Sequence, residues 1–368
     1  MKVLEISKKE LKNNLDIIKK LIEKDTPNVK KVYMVVKGNG VGLGLVQITK
    51  FLSEQGFHSF AIANLEEALE LRKNGIKDEI LMLTPTSIKE EIKSLIENDV
   101  TLTIGTMDEL KLAQEVLSEL KKDSHTAHIK IDTGFGRYGF VYTEKEKILD
   151  AIKNSGNIKI EGMYMHFPNP LVEKYAREQF SKFMDIVKYL EENNAKPEIL
   201  HAASSGAFLR YPEMRLNAVR IGSLVQGRTR LKELGFIPVG KFKATVSEVK
   251  IVPKGHTISY GCTYTTKRET KIAIVPVGYQ DGYWVDKKRD DFRFKNNIIA
   301  ILMEVKKLFK DNSQTVKIHG KTYKKIGRMG MYHFAVDITG TDDIKPGDEV
   351  EVDIVPLHVN ESIRREYI

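Results

Sequence analysis

From the N-terminus to about Leu234, short apolar runs alternate with longer stretches whose apolar residues recur at helical spacing. The runs predict buried strands over Val32–Lys37, Ser59–Ala63, Ile80–Thr84, Thr101–Ile104, His128–Asp132, Lys159–His166, Ile199–Ala203 and Ala218–Ile221. Between them, patterns rich in lysine and glutamate predict helices over Leu65–Asn74, Ile88–Glu97, Met107–Lys122 and Lys174–Asn193. An earlier helix reads from Leu4 to Glu23, on Leu11, Leu15, Ile18, Leu21 and Ile22. Eight strands, each followed by a helix or a helix-sized gap, make a TIM barrel; a doubly wound sheet is the alternative. Beyond Leu234 the helical periodicity largely disappears. The runs Ala244–Val252, Lys271–Val277, Thr315–Ile318, His333–Ile338 and Glu349–Val355 read as strands, separated by turns such as Pro253-Lys254-Gly255. The pattern therefore predicts an α/β TIM barrel, (β/α)8, over residues 1–236 and an all-β C-terminal domain over 237–368.

Composition narrows the class. The 368 residues are 41% hydrophobic and 30% charged, as in a globular protein. No stretch approaches the roughly 20 apolar residues of a membrane span, and the N-terminus lacks the apolar core of a signal peptide. The net charge of +9 is scattered along helical patterns. It favours anionic ligands, and no basic block interleaved with aromatics points to nucleic acid. Nine histidines and one cysteine show no zinc-type spacing, so no metal is expected. A single cysteine, Cys262, excludes an internal disulfide, suits a cytoplasmic location and is expected to be buried and inert.

Barrel active sites lie at the C-terminal ends of the strands, so the polar residues there are the candidates. The first strand ends on Lys37, before glycines at alternate positions, Gly38, Gly40, Gly42 and Gly44. A lysine there either reaches solvent or, if desolvated, becomes a nucleophile able to form a Schiff base with an aldehyde cofactor. The glycines fit neither a dinucleotide fingerprint nor a P-loop. The fifth strand runs into Lys130-Ile131-Asp132-Thr133-Gly134-Phe135-Gly136-Arg137, and the sixth ends in Tyr164-Met165-His166. The seventh continues through His201 into Ser204-Ser205-Gly206, and the eighth carries Arg220, Gly222 and Ser223. Each alone has an ordinary structural explanation. Together they place an amine, an imidazole, two guanidiniums and small hydroxyls on one rim, which is how a site is built. Ser205-Gly206 and Gly222-Ser223 suit a phosphate.

These segments resemble the alanine racemase family, barrel enzymes that use pyridoxal 5'-phosphate (PLP). The stretch Val35-Val36-Lys37-Gly38-Asn39-Gly40 is similar to the motif of its cofactor lysine. Val219-Arg220-Ile221-Gly222 resembles the motif whose arginine faces the PLP ring nitrogen, and Asp132–Arg137 the loop whose arginine contacts the substrate carboxylate side. Lys130 falls where many members carry a carbamylated lysine, and Tyr164-Met165-His166-Phe167 matches Tyr-x-His-Phe. Ile258-Ser259-Tyr260-Gly261 resembles the segment of the second catalytic base. Pro276–Tyr283, with Tyr279, matches a further signature, and Gly327–Met331 resembles the loop whose methionine backbone binds the substrate carboxylate. The match is collinear from about residue 5 to the C-terminus.

The resemblance implies a homodimeric isomerase with active sites shared across the interface. Lys37 and Tyr260 would move the α-proton on opposite faces of an amino acid, and His166 would lie between Tyr260 and Arg220. PLP would be held by Lys37, His166, Ser205, Arg220, Gly222 and Ser223, and substrate by Arg137, Met331 and Tyr279. Both base types ordinarily titrate near pH 10, so each needs cationic or apolar surroundings. The chain departs from the family at Val41 and Leu43, where a tyrosine and a histidine are usual. It departs again at Gly330 and Tyr332, around Met331, and at Ile363, which aligns with a phosphate-contacting tyrosine. These positions leave the preferred amino acid open among alanine, serine, lysine and ornithine. A related basic amino-acid decarboxylase, disfavoured by Arg220, and a non-catalytic PLP carrier are the other readings.

Overall fold

The computed structural model describes residues 2–229, 231–285, 294–308 and 314–368. Two units divide the chain. One is Lys8–Val239, and the other joins Met1–Ser7 to Gly240–Ile368.

The strands of the first 221 residues are β1 (Val3–Ile6), β2 (Lys31–Val35), β3 (Ser59–Ile62), β4 (Glu79–Met82), β5 (Leu102–Ile104), β6 (His125–Asp132), β7 (Phe140–Val141), β8 (Ile158–Tyr164), β9 (Ile199–His201) and β10 (Ala218–Ile221). Two parallel arcs, β10-β2-β3-β4 and β5-β6-β8-β9, form the Lys8–Val239 unit. Parallel bridges at Leu81–Thr101 and Ser204–Arg220 join the arcs into a closed ring of eight. A helix separates each ring strand from the next along the chain, and the strands are largely buried, which is why they read as apolar runs. The helices Leu65–Lys73 and Met107–Glu119 start on side-chain caps, Asn64 accepting from Glu67 N (2.9 Å) and Thr106 from Glu109 N (3.1 Å). These caps fix where two strands stop and rim loops begin.

The barrel interior is short of apolar filling. Its apolar cluster comprises Tyr33, Ala61, Leu81, Ile199 and Ala218. The remaining space is taken by buried polar side chains, among them His128, Lys130, His201 and Arg220. Interiors of such barrels are normally layers of branched aliphatics, so the substitution of polar for apolar packing marks this one.

The second unit is built on a nine-stranded sheet. The helical reading from Leu4 fails at its start: residues 3–6 are β1, and the helix is Lys8–Asp25. β1 pairs parallel with Arg364–Tyr367 and antiparallel with Lys241–Thr245. Partners more than 200 positions away satisfy its backbone, and they outweigh the local period. Among its described residues the unit also carries one α-helix, Phe294–Leu308, with Phe294, Ile301 and Leu302 exposed, which the sequence pattern did not announce. Among the described residues no helix is long and apolar enough to cross a membrane.

Candidate active site

The segment after β2 explains its glycines. Gly38, Asn39 and Gly40 take consecutive left-handed conformations (φ 66°, 53° and 63°), and Val41 follows at φ 50°. Left-handed backbone disfavours residues with a Cβ, so the alternate glycines permit a turn that a regular sequence would not make. Glu67 accepts from the backbone N–H of Gly38 (2.5 Å) and of Ala63 (3.1 Å), and Asn39 Oδ1 from Leu45 N (2.9 Å). The turn holds Lys37 at the strand end with its side chain substantially exposed. Partial desolvation first, then the Arg137 and Arg220 guanidiniums, lower its pKa from the usual lysine value, against Glu67.

Asp132 shapes the next loop. Its carboxylate accepts from the backbone N–H groups of Gly134, Phe135, Gly136 and Arg137 at 2.8–3.2 Å. Against the effect of burial, those donors hold it below the usual carboxylate range. The loop so formed presents Arg137, whose guanidinium lies 4.1 Å from the Phe135 ring centre. Lys130, two residues before Asp132 and therefore on the same face of β6, is buried beneath it. Its Nζ donates to Leu83 O (3.1 Å), which also accepts from Tyr164 OH (3.0 Å). Burial, then Arg137, Arg220 and Lys37, press its pKa down to about 7.

Arg220 is the most constrained of the cations. Nη1 donates to His201 Nδ1 (2.9 Å) and His201 O (2.8 Å). Nη2 donates to Met165 O (2.7 Å), Ala202 O (3.1 Å) and His166 Nδ1 (3.3 Å). The four N–H bonds of the two terminal nitrogens are thereby engaged. No acceptor among the described residues takes the Nε–H, which remains available to a ligand. Burial lowers the guanidinium only to about 10, so it stays charged at neutral pH. His166, by contrast, is held neutral: burial, then Arg220, Arg137, Lys37 and Lys130, push it down to about 3.

Ser205 Oγ accepts from Gly222 N (3.0 Å) and Leu224 N (3.4 Å), tying the last two rim loops together. Ser205, Gly206 and Ser223 line a cleft of about 220 Å³ with Arg210 and Arg228. The structure thus gathers Lys37, Lys130, Arg137, His166, Ser205, Arg220, Gly222 and Ser223 on one rim. Two arginines, Arg210 and Arg228, join the small hydroxyls. Sequence reading missed them because neither falls at a strand end.

Tyr260, Tyr279 and Met331 belong to the other unit and come together there. Gln280 N donates to Met331 O (3.1 Å), and Tyr279 N to Gly330 O (3.4 Å). An atom added on Gly330 Cα would lie 3.4 Å from the Tyr260 ring. Tyr260 is 72% exposed, and Tyr279, Met331 and Tyr332 are exposed beside it. Positive φ at Ser259, Gly261 and Cys262 carries the segment outward. Cys262 is accordingly exposed, which corrects the expectation of a buried thiol. Of the departures, Leu43 is fully buried as a packing residue, Val41 and Ile363 are half-buried, and Val41 O accepts from Gln226 Nε2.

A closed parallel barrel with a cationic rim, extended by a β unit that exposes a tyrosine, defines a two-domain barrel enzyme for an anionic ligand. Comparison makes this specific. The alanine racemase N-terminal domain matches residues 6–229, and the alanine racemase C-terminal domain residues 239–361. An alanine racemase of Methanococcus maripaludis is 34% identical over 95% of this chain and 87% of its own, and one of Carboxydothermus hydrogenoformans 35% over 86% and 80%. Among solved structures, the alanine racemase of Clostridium difficile aligns with a TM-score of 0.86 at 29% identity, covering all of this chain and 95% of that one. That of Bacillus anthracis with bound L-Ala-P gives 0.81 at 26%, again with 100% and 95% covered. The chain belongs to the alanine racemase family, and it is an isomerase.

Proposed function

We propose that the protein is a PLP-dependent amino-acid racemase that interconverts L- and D-alanine by two-base proton transfer. The observation that carries this reading is the pairing of Lys37, an amine of lowered pKa, with a charged Arg220 that keeps one N–H for a ligand. The fit to PLP is good on three counts. Lys37 supplies an amine for the aldehyde. Ser205, Gly222 and Ser223, with Arg210 and Arg228 at the cleft, suit the phosphate. Arg220 Nε–H suits an unprotonated ring nitrogen. When bound, PLP withdraws electrons from the substrate Cα and acidifies its α-proton.

Lys37 then takes and returns the proton on one face, and Tyr260 of the partner subunit on the other. A tyrosine that serves a second subunit must be presented at the surface, and Tyr260 is. His166 accepts from Arg220 at Nδ1, so its Nε2–H is left to donate toward the tyrosine oxygen. Arg137 and the Met331 backbone hold the substrate carboxylate, and Tyr279 borders it. A lysine with a pKa near 7 is substantially free base at neutral pH, the form that captures carbon dioxide, which suits Lys130 to carbamylation. Its carbamate would face Arg137. The family resemblance and the exposed aromatic edge support a homodimer. The single cysteine supports a cytoplasmic location.

A racemase for a larger amino acid is the second reading, because Val41 and Gly330 are small where the family carries bulk. Proton NMR in deuterated water, with PLP and L-alanine, serine, lysine, ornithine and glutamate, tests both. Loss of the α-proton signal with growth of the D-enantiomer identifies the substrate. Amine product would replace the racemase reading by decarboxylation, and no turnover would replace it by a PLP carrier.

A further inference from the structure

An unbroken line of hydrogen bonds runs from Arg220 to the opposite end of the barrel. His201 Nε2 lies 2.9 Å from His128 Nδ1, and His128 Nε2 lies 3.4 Å from Tyr33 OH and 3.8 Å from Glu161 Oε2. Tyr33 OH donates to Glu79 Oε1 (3.0 Å). Lys31 Nζ sits 3.0 Å from Glu79 Oε2 and 3.5 Å from Glu161 Oε1. Glu79, His128 and Glu161 place their ligand atoms within 4.8 Å of one another, close enough to hold a cation, and the Lys31 ammonium fills that role.

Chemistry fixes the direction of every link. Arginine only donates, so His201 Nδ1 accepts and the proton of His201 is on Nε2. That proton goes to His128 Nδ1, which leaves the His128 proton on Nε2, facing Tyr33 O and Glu161. Tyr33 gives its own hydrogen to Glu79. All the hydrogens point away from Arg220, and both imidazoles are neutral. Burial keeps both below the ordinary histidine value, aided at His201 by Arg220 and opposed at His128 by Glu161. Ring stacking holds His201 between Tyr33 (5.1 Å) and Tyr164 (4.7 Å).

The backbone is irregular where the line needs room. The β6–β8 register shifts between Ala127 and His128, and Gly162 stands opposite His128. A Cβ at 162 would lie 2.5 Å from His128 Cε1, so any larger residue would expel the imidazole. A bulge and a glycine at one point, both serving one side chain, single out His128.

We propose that Tyr33 is a positioning residue for Arg220. Through His128 and His201 it ties the guanidinium to the Glu79 carboxylate and keeps the Arg220 Nε–H aimed at the cofactor ring. This rests on the reading of Arg220 as the ring-nitrogen donor.

The test uses the PLP-loaded enzyme. Tyr33→Phe deletes one hydroxyl and keeps the stacked ring. The expected result is a fall in kcat of about five- to ten-fold, the loss typical of one buried hydrogen bond. KM should stay within about two-fold, and the visible absorption band of the bound cofactor should shift. Glu79→Gln, at a half-exposed site, should give the same pattern more weakly. Arg220→Lys is the control for the underlying reading and should shift the band most. An unmoved band in Tyr33→Phe and Glu79→Gln, with a shifted one in Arg220→Lys, rejects the line and keeps the Arg220 reading. An unmoved band in Arg220→Lys rejects both. Misfolding of Tyr33→Phe with no change in Glu79→Gln reduces Tyr33 to a packing residue and also overturns the proposal.

Discussion

The two ends of the barrel handle charge in opposite ways. At the rim, Lys37, Lys130, Arg137 and Arg220 form no ion pair with a carboxylate among the described residues, and Glu67, Glu109 and Asp132 accept backbone N–H bonds instead. At the floor, Lys31 is matched by Glu79 and Glu161. Of the rim cations, Arg220 and Lys130 are buried and lose water without gaining a counter-charge, which is costly to a charged group, while Lys37 and Arg137 keep part of theirs. The rim therefore carries a deficit that the proposed phosphate and carboxylate would relieve. The floor needs nothing from outside. Charge left unbalanced by the chain itself marks where an anionic ligand belongs.

Four measurements would break or sharpen this contrast. The largest effect is expected at Lys37. Lys37→Ala should reduce α-proton exchange by at least about 10³-fold, whereas Tyr260→Phe should slow exchange from one enantiomer much more than from the other. Equal loss from both enantiomers would remove Tyr260 as a face-specific base. Next, PLP at about 100 times its dissociation constant should stabilise the chain by about 2.7 kcal/mol, read as a rise in Tm. Absence of that rise would mean the rim charge is not waiting for an anion.

At the floor, Lys31→Met leaves two half-buried carboxylates facing each other. A loss of about 2 kcal/mol is expected, between the values for exposed and buried pairs, with the PLP-induced rise in Tm retained. Loss of that rise as well would show the two ends are not separable. The smallest effect is acidic. Because His166 titrates near 3 when folded and near 6.5 when unfolded, the unfolded chain binds more protons throughout that window, and stability rises with pH across it. One unit below 6.5 should cost about 1.4 kcal/mol in urea unfolding of the cofactor-free protein. Lys130 acts with the same sign between about 7 and 10.4. A flat profile between pH 5.5 and 7.5 would mean the rim is better solvated than its geometry implies.

The rim was legible in the sequence because strand ends are. An apolar run that stops on Lys37, or on Tyr164-Met165-His166, announces both the strand and the side chain it delivers. The floor was not legible, since it consists of one or two residues from each of several strands. Lys31 and Tyr33 on β2, Glu79 on β4, His128 on β6 and Glu161 on β8 meet only when the ring closes. The available signal was the period of two: Lys31 and Tyr33, like His128 and Lys130, share a strand face, and polar residues at such positions point into a barrel. β1 escaped for a similar reason, because its pairing with Lys241–Thr245 and Arg364–Tyr367 has no local trace. Outward exposure of Cys262 goes with positive φ at Ser259, Gly261 and Cys262 itself, which apolar neighbours do not disclose.

The shifted register between β6 and β8 sets a rule of parity for the chain. Ala127 pairs with Ile160 and His128 with Gly162, so two residues of β8, Glu161 and Gly162, stand against one of β6. Residues before and after that step are out of phase by one. Deleting Glu161 would restore a regular ladder with every partner kept on its face, but it would remove the carboxylate that faces Lys31 and His128. The loops of this barrel can lengthen or shorten over generations with little consequence. This one step is different, because the residue it adds is the Glu161 carboxylate of the floor, next to the glycine that makes room for His128.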